Sequence, residues 1–559
     1  MILSVNDIAR VTNGQWKNIP DNFNIKGINF TEKDLQQGDL FVTRSTEEYK
    51  ELKEGNENLI DKIIKKKPAA LIVRKTLKEI DFPCLVVENT KVAFKNIAIA
   101  TRDRSNAKKV LVTGSYGKTG FKIRLNQLIK DNIRTKIIEN SANEDSGVYK
   151  ALSSLSKDDE VTIIEAGGST LSRATRRSEA VKPDICVITS IGHEDIYQHK
   201  TINNTIYNKS SITKYLNENG ICIIKKDKYY EKMCKSILEH NSNTIIKSVG
   251  ESICCNAFII EKKFNDYGWD IKASIEGEII VYRIPFIDLH SVEASLLEFL
   301  TAKYLGVDLN KISSQYNNIK NFYTSGKFYN IEIGQKDFLF YDQSHRGGIE
   351  NYESFFKTIR YIKPENNGRK ILFTSAFVDH EDNEMDNINP NIFKSLIKDA
   401  GFDAIFTTEY FSNHMEVLAD KNIWKKHKFD YKDLRDDVLR YINSDDILFV
   451  KGIFGSKLRN LLPYIKSFPT SKVSDYLKKD DISNIGKKIN LEDIKLFKSK
   501  LKKTNNLAWC YYFPFLVFFS KSKTNELYIE EINGSLVVYF LRNAHKNNPI
   551  LELFFPPLP

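Results

Sequence analysis

The chain has 559 residues and a formal net charge of +11; 41% of its residues are hydrophobic and 28% are charged. This length is enough for three or four domains of roughly 100–200 residues each, and the composition is that of globular proteins with buried cores, not of disordered chains. The positive charge is spread along the chain, so it indicates a lysine-rich solvated surface and not a nucleic-acid footprint.

The cysteines and the apolar segments favour a soluble cytoplasmic protein. The seven cysteines include no CxxC pair, which argues against a disulfide framework and against a zinc site. The first residues lack the basic start and apolar core of a secretory signal. The most apolar stretch, residues 511–519, is too short to span a bilayer, which takes about 20 residues. We therefore expect no membrane span.

Short apolar runs alternate with amphipathic segments along most of the chain. In chain order, buried strands are predicted at 38–42, 70–73, 110–112, 161–164, 185–188, 221–224, 371–373, 404–406 and 447–450. A helix is predicted over 122–129. This alternation predicts an α/β fold with mostly parallel sheets, in which the last three strands belong to a separate Rossmann-like domain.

The segment TGSYGKT at 113–119 lies between a predicted strand and a predicted helix. Gly114 and Gly117 permit a tight turn and the close approach of a phosphate, and backbone N–H groups in such a turn point inward and cradle phosphate oxygens. Lys118 can reach the β- and γ-phosphates, and the Thr119 hydroxyl can ligate Mg²⁺. The glycine that opens the standard pattern is missing, so an ordinary strand–turn–helix junction is the alternative interpretation.

Several further motifs follow this loop in order. They are NEDSGV at 143–148, IIEAG at 163–167, ITSIGHED at 188–195, IYNKSSI at 206–212, LHSVE at 289–293, SGKF at 325–328, DQSH at 342–345 and LFVKG at 448–452. With them, the chain over residues 1 to about 465 resembles the Mur ligase family of ATP-dependent amide ligases, whose phosphate loop is commonly TGxxGKT.

The resemblance implies a role for each matching residue. The catalytic residues would be Lys118, Lys209 and His345. The ATP-binding residues would be Gly114, Ser115, Gly117, Lys118, Thr119, Asn143, His290, Lys327 and Asp342. The Mg²⁺ ligands would be Thr119, Glu165, His193 and a carbamylated Lys209.

Some of these positions have alternative interpretations or depart from the family pattern. Glu165 is otherwise a capping or surface glutamate, and Lys209 is otherwise a solvated helix lysine. Asp195 competes with His193 as the metal ligand. The motif at 289–293 has lost both asparagines of the family segment, and Lys327 replaces an arginine, so the planar bidentate fork is lost.

The resemblance also implies a three-domain Mur ligase architecture with a C-terminal extension. We expect an N-terminal substrate-binding-like domain at 1–107, a central ATP-binding domain at 108–329, a C-terminal Rossmann-like domain at 330–466 and an α/β or β-rich extension at 467–559. The extension weakly resembles the start of the acyltransferase domain of phosphatidylglycerol lysyltransferases. Its alternatives are a β-rich packing appendage and a surface for a protein partner.

The function implied is an ATP-dependent, Mg²⁺-dependent ligase that joins a small-molecule or peptide carboxylate to an amino acid or amine through an acyl phosphate. The segment at 43–47 lacks the glycine-rich continuation expected around a uridine diphosphate. We therefore expect a specialised ligase. The alternatives are a UDP-MurNAc-peptide ligase of peptidoglycan synthesis, a non-catalytic ATP-binding relative and, from the net charge, an NTPase that nucleic acid stimulates.

Overall fold

The computed structural model describes most of the chain. The described residues are 2–21, 23–43, 59–74, 82–139, 143–167, 170–193, 199–265, 267–319, 326–344, 349–375, 390–408, 422–452, 456–469, 471–475, 487–488, 525–532, 535–542 and 550–558. The chain divides into two compact units, Met1–Phe322 and Tyr323–Pro559.

The first unit begins with a small α/β sheet. Its strands are β1 (Gln15–Lys17), β2 (Gly27–Asn29), β3 (Asp39–Val42), β4 (Ala70–Arg74) and β5 (Cys84–Val87), in the order β1-β5-β4-β3-β2. Its helices are α1 (Val5–Thr12), α2 (Leu59–Lys65) and α3 (Thr90–Asp103). All neighbouring strands are parallel except β1 and β5. The Asn89 side chain caps α3 by accepting hydrogen bonds from the backbone N–H groups of Lys91 and Val92.

A larger sheet of the first unit begins at β6 (Lys108–Thr113). Its other strands are β7 (Thr135–Ile137), β8 (Val161–Glu165), β9 (Ile185–Ile188), β10 (Ile221–Lys225), β11 (Ile245–Gly250), β12 (Ala257–Asn265), β13 (Gly268–Ile275) and β14 (Glu278–Ile284). Their order is β14-β13-β12-β11-β10-β9-β6-β8-β7. The strands from β7 to β12 are parallel, whereas β12, β13 and β14 form an antiparallel extension.

The helices of this larger domain follow its strands. They are α4 (Lys118–Ile129), α5 (Asp145–Ser153), α6 (Leu171–Val181), α7 (Ile202–Ser210), α8 (Tyr230–His240), α9 (Leu289–Leu305) and α10 (Leu309–Gln315). One hydrophobic core joins both sheets of the unit, and it includes Phe94 and Ile97 of α3, Val148 and Tyr149 of α5, and Ile164 of β8. The two sheets of this unit and their helices therefore share buried apolar surface.

The second unit contains a further α/β sheet. Its strands are β15 (Lys327–Ile333), β16 (Lys336–Gln343), β17 (Lys370–Thr374), β18 (Ala404–Thr408), β19 (Trp424–Lys428), β20 (Ile447–Lys451) and β21 (Lys472–Asp475), in the order β19-β18-β17-β20-β16-β15-β21. Its helices are α11 (Ile349–Ile359), α12 (Pro390–Ala400), α13 (Lys432–Tyr441) and α14 (Leu461–Lys466). Strands β15 and β21 pair antiparallel. This sheet therefore includes residues before position 330, in β15, and after position 466, in β21.

Beyond β21, which belongs to the preceding sheet, the described part of the C-terminal extension is an antiparallel sheet. Its strands are β22 (Lys487–Lys488), β23 (Asn525–Ile532), β24 (Ser535–Arg542) and β25 (Ile550–Leu558). Residues 511–519 lie outside the described part of the chain. No helix within the described residues is long and apolar enough to cross a bilayer. The α/β fold class and the buried strands predicted from the sequence are confirmed.

Candidate functional site

The loop between β6 and α4 has the backbone conformation that its two glycines allow. Gly117 caps α4 in the left-handed region with a φ of 86°, and Gly114 has a φ of 148°. A Cβ atom at Gly114 would lie against the Thr189 hydroxyl and 3.0 Å from the backbone nitrogen of Ser190. Because side chains are strained at such φ values and this approach leaves no room for a Cβ, glycine is required at 114.

The segment that follows β9 supports this loop from one side. The backbone N–H of Ser115 donates to the carbonyl of Ser190 at 3.0 Å, and that of Tyr116 donates to the Ser190 hydroxyl at 2.8 Å. The Thr189 hydroxyl donates to the Tyr116 carbonyl at 2.6 Å, and Gly192 N–H donates to the Ser115 hydroxyl at 3.0 Å. Ser115, predicted as a nucleotide-binding residue, therefore uses its N–H and hydroxyl groups to hold the loop in this conformation.

Helix α4 begins directly after this loop, at Lys118. The leading N–H groups of a helix have no acceptor within the helix, and the helix dipole favours an anion at this end. The Lys118 ammonium group is folded over the loop and donates to the carbonyls of Gly114 at 2.6 Å and Ser115 at 3.0 Å. This arrangement places a positive charge over the turn, next to the N-terminus of α4, as an anion-binding site requires.

Thr119 and Glu165 meet beside this turn. The Thr119 hydroxyl lies 3.0 Å from one carboxylate oxygen of Glu165 and 2.9 Å from the other. Glu165 is 2% exposed at the end of β8, so the alternative of a surface glutamate is excluded. A hydroxyl and a carboxylate are the hard oxygen ligands that Mg²⁺ takes together with phosphate oxygens and water. The residues present therefore fit a Mg²⁺ site.

Lys122, which the sequence analysis missed, also contacts Glu165. Its ammonium group lies 3.3 Å from Glu165 Oε2, and both side chains are buried. Burial lowers the pKa of Lys122, and the neighbouring Glu165 carboxylate partly opposes this effect. Lys122 lies three residues after Thr119 on α4, a spacing that puts both on one face and was the available sequence signal.

A second missed residue, Arg177 of α6, connects two of the predicted motifs. Its guanidinium group donates to Asp145 at 2.8 Å, to Glu144 at 2.9 Å and to the carbonyl of Gly167. The carbonyl of Asn143 accepts a hydrogen bond of 2.8 Å from Gly167 N–H. The motifs at 143–148 and 163–167 are therefore held together close to the end of β8.

The other predicted metal ligands of the first unit are His193 and Lys209. His193 directly follows the segment that supports the phosphate loop. Lys209, on α7, is 1% exposed, which excludes the alternative of a solvated helix lysine. Within the described residues no three His, Cys, Asp or Glu side chains form a metal-binding group. The roles of His193 and Lys209 at the metal stay predictions, and Asp195 lies outside the described residues.

The remaining predicted residues lie on other elements. His290 is in the first turn of α9, in the first unit. In the second unit, Lys327 and Asp342 are register partners on β15 and β16. The Asp342 carboxylate accepts hydrogen bonds from the N–H at 3.0 Å and the hydroxyl at 2.7 Å of Ser344. His345 lies outside the described residues, so its predicted catalytic role stays a prediction.

A cavity of about 510 Å³ lies in the first unit. Its wall is formed by the ends of β3 and β4, the start of α3, and helices α5 and α6. Its cationic side chains are Arg74, Lys91, Arg173 and Arg176, and Glu144 and Asp145 also line it. Burial raises the pKa of Tyr149, another lining residue, to about 12, so its hydroxyl stays neutral. Four cationic side chains against two carboxylates leave the lining with an excess of positive charge, which suits an anionic ligand.

Comparison with known proteins shows what this part of the chain is similar to. Residues 112–300 match the Mur ligase middle domain. The UDP-N-acetylmuramoyl-tripeptide–D-alanyl-D-alanine ligase of Rickettsia prowazekii is 24% identical over 450 residues, which cover 80% of this chain and 96% of that protein. The enzyme of the same name from Bacillus subtilis is 19% identical over 84% of this chain and 99% of its own length.

Solved structures agree in fold. MurF from Acinetobacter baumannii covers 84% of this chain and 99% of its own, with a TM-score of 0.68 and 19% identity. MurF from Thermotoga maritima, solved in complex with ADP, covers 80% of this chain and 98% of its own, with a TM-score of 0.62 and 16% identity. The chain thus contains a Mur ligase middle domain within the Mur ligase fold, and the resemblance predicted from the motifs is confirmed.

Proposed function

We propose that this protein is an ATP-dependent ligase that joins UDP-N-acetylmuramoyl-tripeptide to D-alanyl-D-alanine. The observation that carries the proposal is the phosphate loop, in which Gly114 and Gly117 shape the turn and Lys118 and Thr119 begin the helix. The relatives reported above are named for this reaction. They favour this alternative over the specialised ligase expected from the sequence.

A carboxylate is a poor acyl donor because its leaving group would be oxide. In the proposed reaction a carboxylate oxygen attacks the γ-phosphorus of ATP, the bond to the β-phosphate oxygen breaks, and ADP leaves an acyl phosphate behind. The amine then attacks the acyl carbon, loses a proton, and inorganic phosphate departs as the amide bond forms. Such a reaction needs fixed positive charge and positioning more than it needs a protein nucleophile.

The residues of the loop fit this requirement. Lys118 lies over the turn, where its ammonium group neutralises charge on the phosphates, and the first N–H groups of α4 orient them. Thr119 and Glu165 would hold the Mg²⁺ of the nucleotide. The metal, when bound, supplies further charge neutralisation at the phosphate oxygens.

The cavity beside α5 and α6 supports an anionic carboxylate substrate. Its cationic lining includes Arg173 and Arg176, and the Arg176 guanidinium group also pairs with Asp145 at 2.8 Å. A nucleotide-linked peptide carries diphosphate and carboxylate groups that these cations attract. The cavity and the phosphate loop belong to the same compact unit, which supports a carboxylate substrate that binds in this unit.

The test is product formation with defined substrates. Purified protein, ATP and Mg²⁺ are incubated with UDP-MurNAc-tripeptide and D-alanyl-D-alanine, ADP and phosphate are quantified, and the product is identified by mass spectrometry. We expect an amide product with ADP and phosphate in equal amounts. Lys118→Ala should abolish turnover, whereas Lys130→Ala, at an exposed lysine that follows the same helix, should not.

The outcome separates the candidate substrates. An amide formed only from another carboxylate or amine would replace the proposed substrate pair with a specialised one. ADP binding without any product, in mixtures of amino acids and peptides, would support the non-catalytic alternative.

A further inference from the structure

The first turns of α4 present three side chains to the phosphate-loop region. Lys118 turns back over the loop, whereas Thr119 and Lys122 both reach the Glu165 carboxylate. Lys122 therefore contacts the residue that would hold the metal. Its contact with Glu165 joins residues 43 positions apart in the sequence.

The Lys122–Glu165 pair is withdrawn from water. The two side chains are 2% and 1% exposed, and their charged groups lie 3.3 Å apart. A buried carboxylate without a compensating cation is costly, and so is a buried ammonium group without an anion. Each group therefore offsets much of the desolvation cost of the other when the metal is absent.

The hydrogen bonds around the carboxylate also fix its orientation. Glu165 Oε2 accepts from the Thr119 hydroxyl at 2.9 Å and from the Lys122 ammonium group at 3.3 Å, and Oε1 lies 3.0 Å from the same hydroxyl. Rotation of the carboxylate would break the contact with Lys122. Groups that hold a metal ligand in one orientation raise the affinity of the site because less reorganisation is needed on binding.

We propose that Lys122 is a positioning residue that holds the Glu165 carboxylate in the orientation that receives the Mg²⁺ of a bound nucleotide. This inference rests on the proposed function, because it takes the loop as a nucleotide site. Lys122 acts through Glu165 and has no chemical step of its own.

The test measures how much Mg²⁺ increases the affinity for ADP. Isothermal titration of ADP in the presence of Mg²⁺ and in the presence of EDTA gives this gain as a ratio of dissociation constants. For Lys122→Met we expect the gain to fall about 10- to 100-fold relative to the unaltered chain, the usual effect of removing a group that orients a metal ligand. The loss of a cation beside Glu165 would by its charge alone raise the gain, so a rise would overturn the positioning role. The affinity in EDTA should change little, because Lys118 and the α4 N–H groups are retained.

Arg124→Met is the matched control. Arg124 lies on the same helix and makes a different buried pair, 2.7 Å from Glu298. Its loss should lower the unfolding free energy but leave the Mg²⁺-dependent gain unchanged. If both variants lose the gain equally, the effect is a general loosening of α4, and the positioning role is overturned.

Two further variants keep the test decisive if Lys122→Met folds poorly. Lys122→Gln retains a hydrogen-bond donor and should keep more of the gain than Lys122→Met. In a Glu165→Gln background, Lys122→Met should have no further effect on the gain, and an additional loss there would overturn the proposal. If the ADP affinity of the unaltered chain does not depend on Mg²⁺, the proposed function itself is refuted. If the unaltered chain shows the Mg²⁺-dependent gain and Lys122→Met retains all of it, only this inference is refuted.

Discussion

Replacing Gly114 by alanine tests whether the observed loop conformation is the nucleotide-binding one. The added Cβ meets the Thr189 hydroxyl and lies 3.0 Å from the backbone nitrogen of Ser190, at a φ of 148°. Strain at such a φ costs roughly 1–3 kcal/mol. Forcing a methyl group into a packed site costs roughly another 1–3 kcal/mol. Together these effects amount to about 2–6 kcal/mol.

This cost must appear in one of two measurements. If the altered loop keeps its conformation, the unfolding free energy in urea falls by that amount. If the loop relaxes, the conformation has to be restored when nucleotide binds, and the affinity for ADP falls instead. Because 1.4 kcal/mol corresponds to about tenfold in affinity, the relaxed case predicts a loss of about 30-fold or more.

Gly117→Ala is the control for conformation alone. The nearest atoms to a Cβ at Gly117 belong to Thr189 and lie 3.7 Å away, which is ordinary contact. Only the positive φ of 86° then opposes the substitution, at roughly 1–2 kcal/mol. A Gly114→Ala chain that keeps both its stability and its ADP affinity would refute the reasoning. Equal losses of stability or of ADP affinity in the two variants would show that the contact between a Cβ at position 114 and the segment after β9 adds nothing to the cost.

Three further predictions concern the surroundings of the loop. Arg124→Met should lower the unfolding free energy by about 3–5 kcal/mol, because it leaves the buried Glu298 carboxylate without its cationic partner. The double variant Arg124→Met/Glu298→Met should recover most of this loss in urea titrations, and a double variant no more stable than the single one would contradict the argument. Arg177→Lys keeps the charge but loses the fork that binds Asp145 and Glu144, so stability should fall by roughly 1.5–3 kcal/mol. Its ADP affinity should stay unchanged in titration, and a selective loss of ADP binding would argue against a supporting role. Chelation of Mg²⁺ should weaken ADP binding in the unaltered chain but not in Glu165→Gln, and an equal effect in both would exclude Glu165 as a ligand.

The sequence by itself determined the local parts of the fold and of the site. Apolar runs such as 110–112 and 185–188 form buried strands because they are hydrophobic at every position, as a strand covered on both faces requires. The glycines and the Gly-Lys-Thr triplet specify a phosphate loop because the conformations they need are set within a few residues. The order of the short motifs was sufficient to indicate the Mur ligase fold.

Only the tertiary structure decided which distant residues meet. In the larger sheet of the first unit, β6 lies between β8 and β9, so the loop after β6 contacts both the carboxylate at the end of β8 and the segment after β9. This strand order brings Lys122 to Glu165 and Ser115 to Ser190, pairs that no local pattern specifies. Burial likewise distinguished Lys209 from a solvated lysine, because a helix lysine has the same sequence signature on either face. Such contacts depend on how separate strands and helices pack, and the spacing of residues along one element cannot determine them.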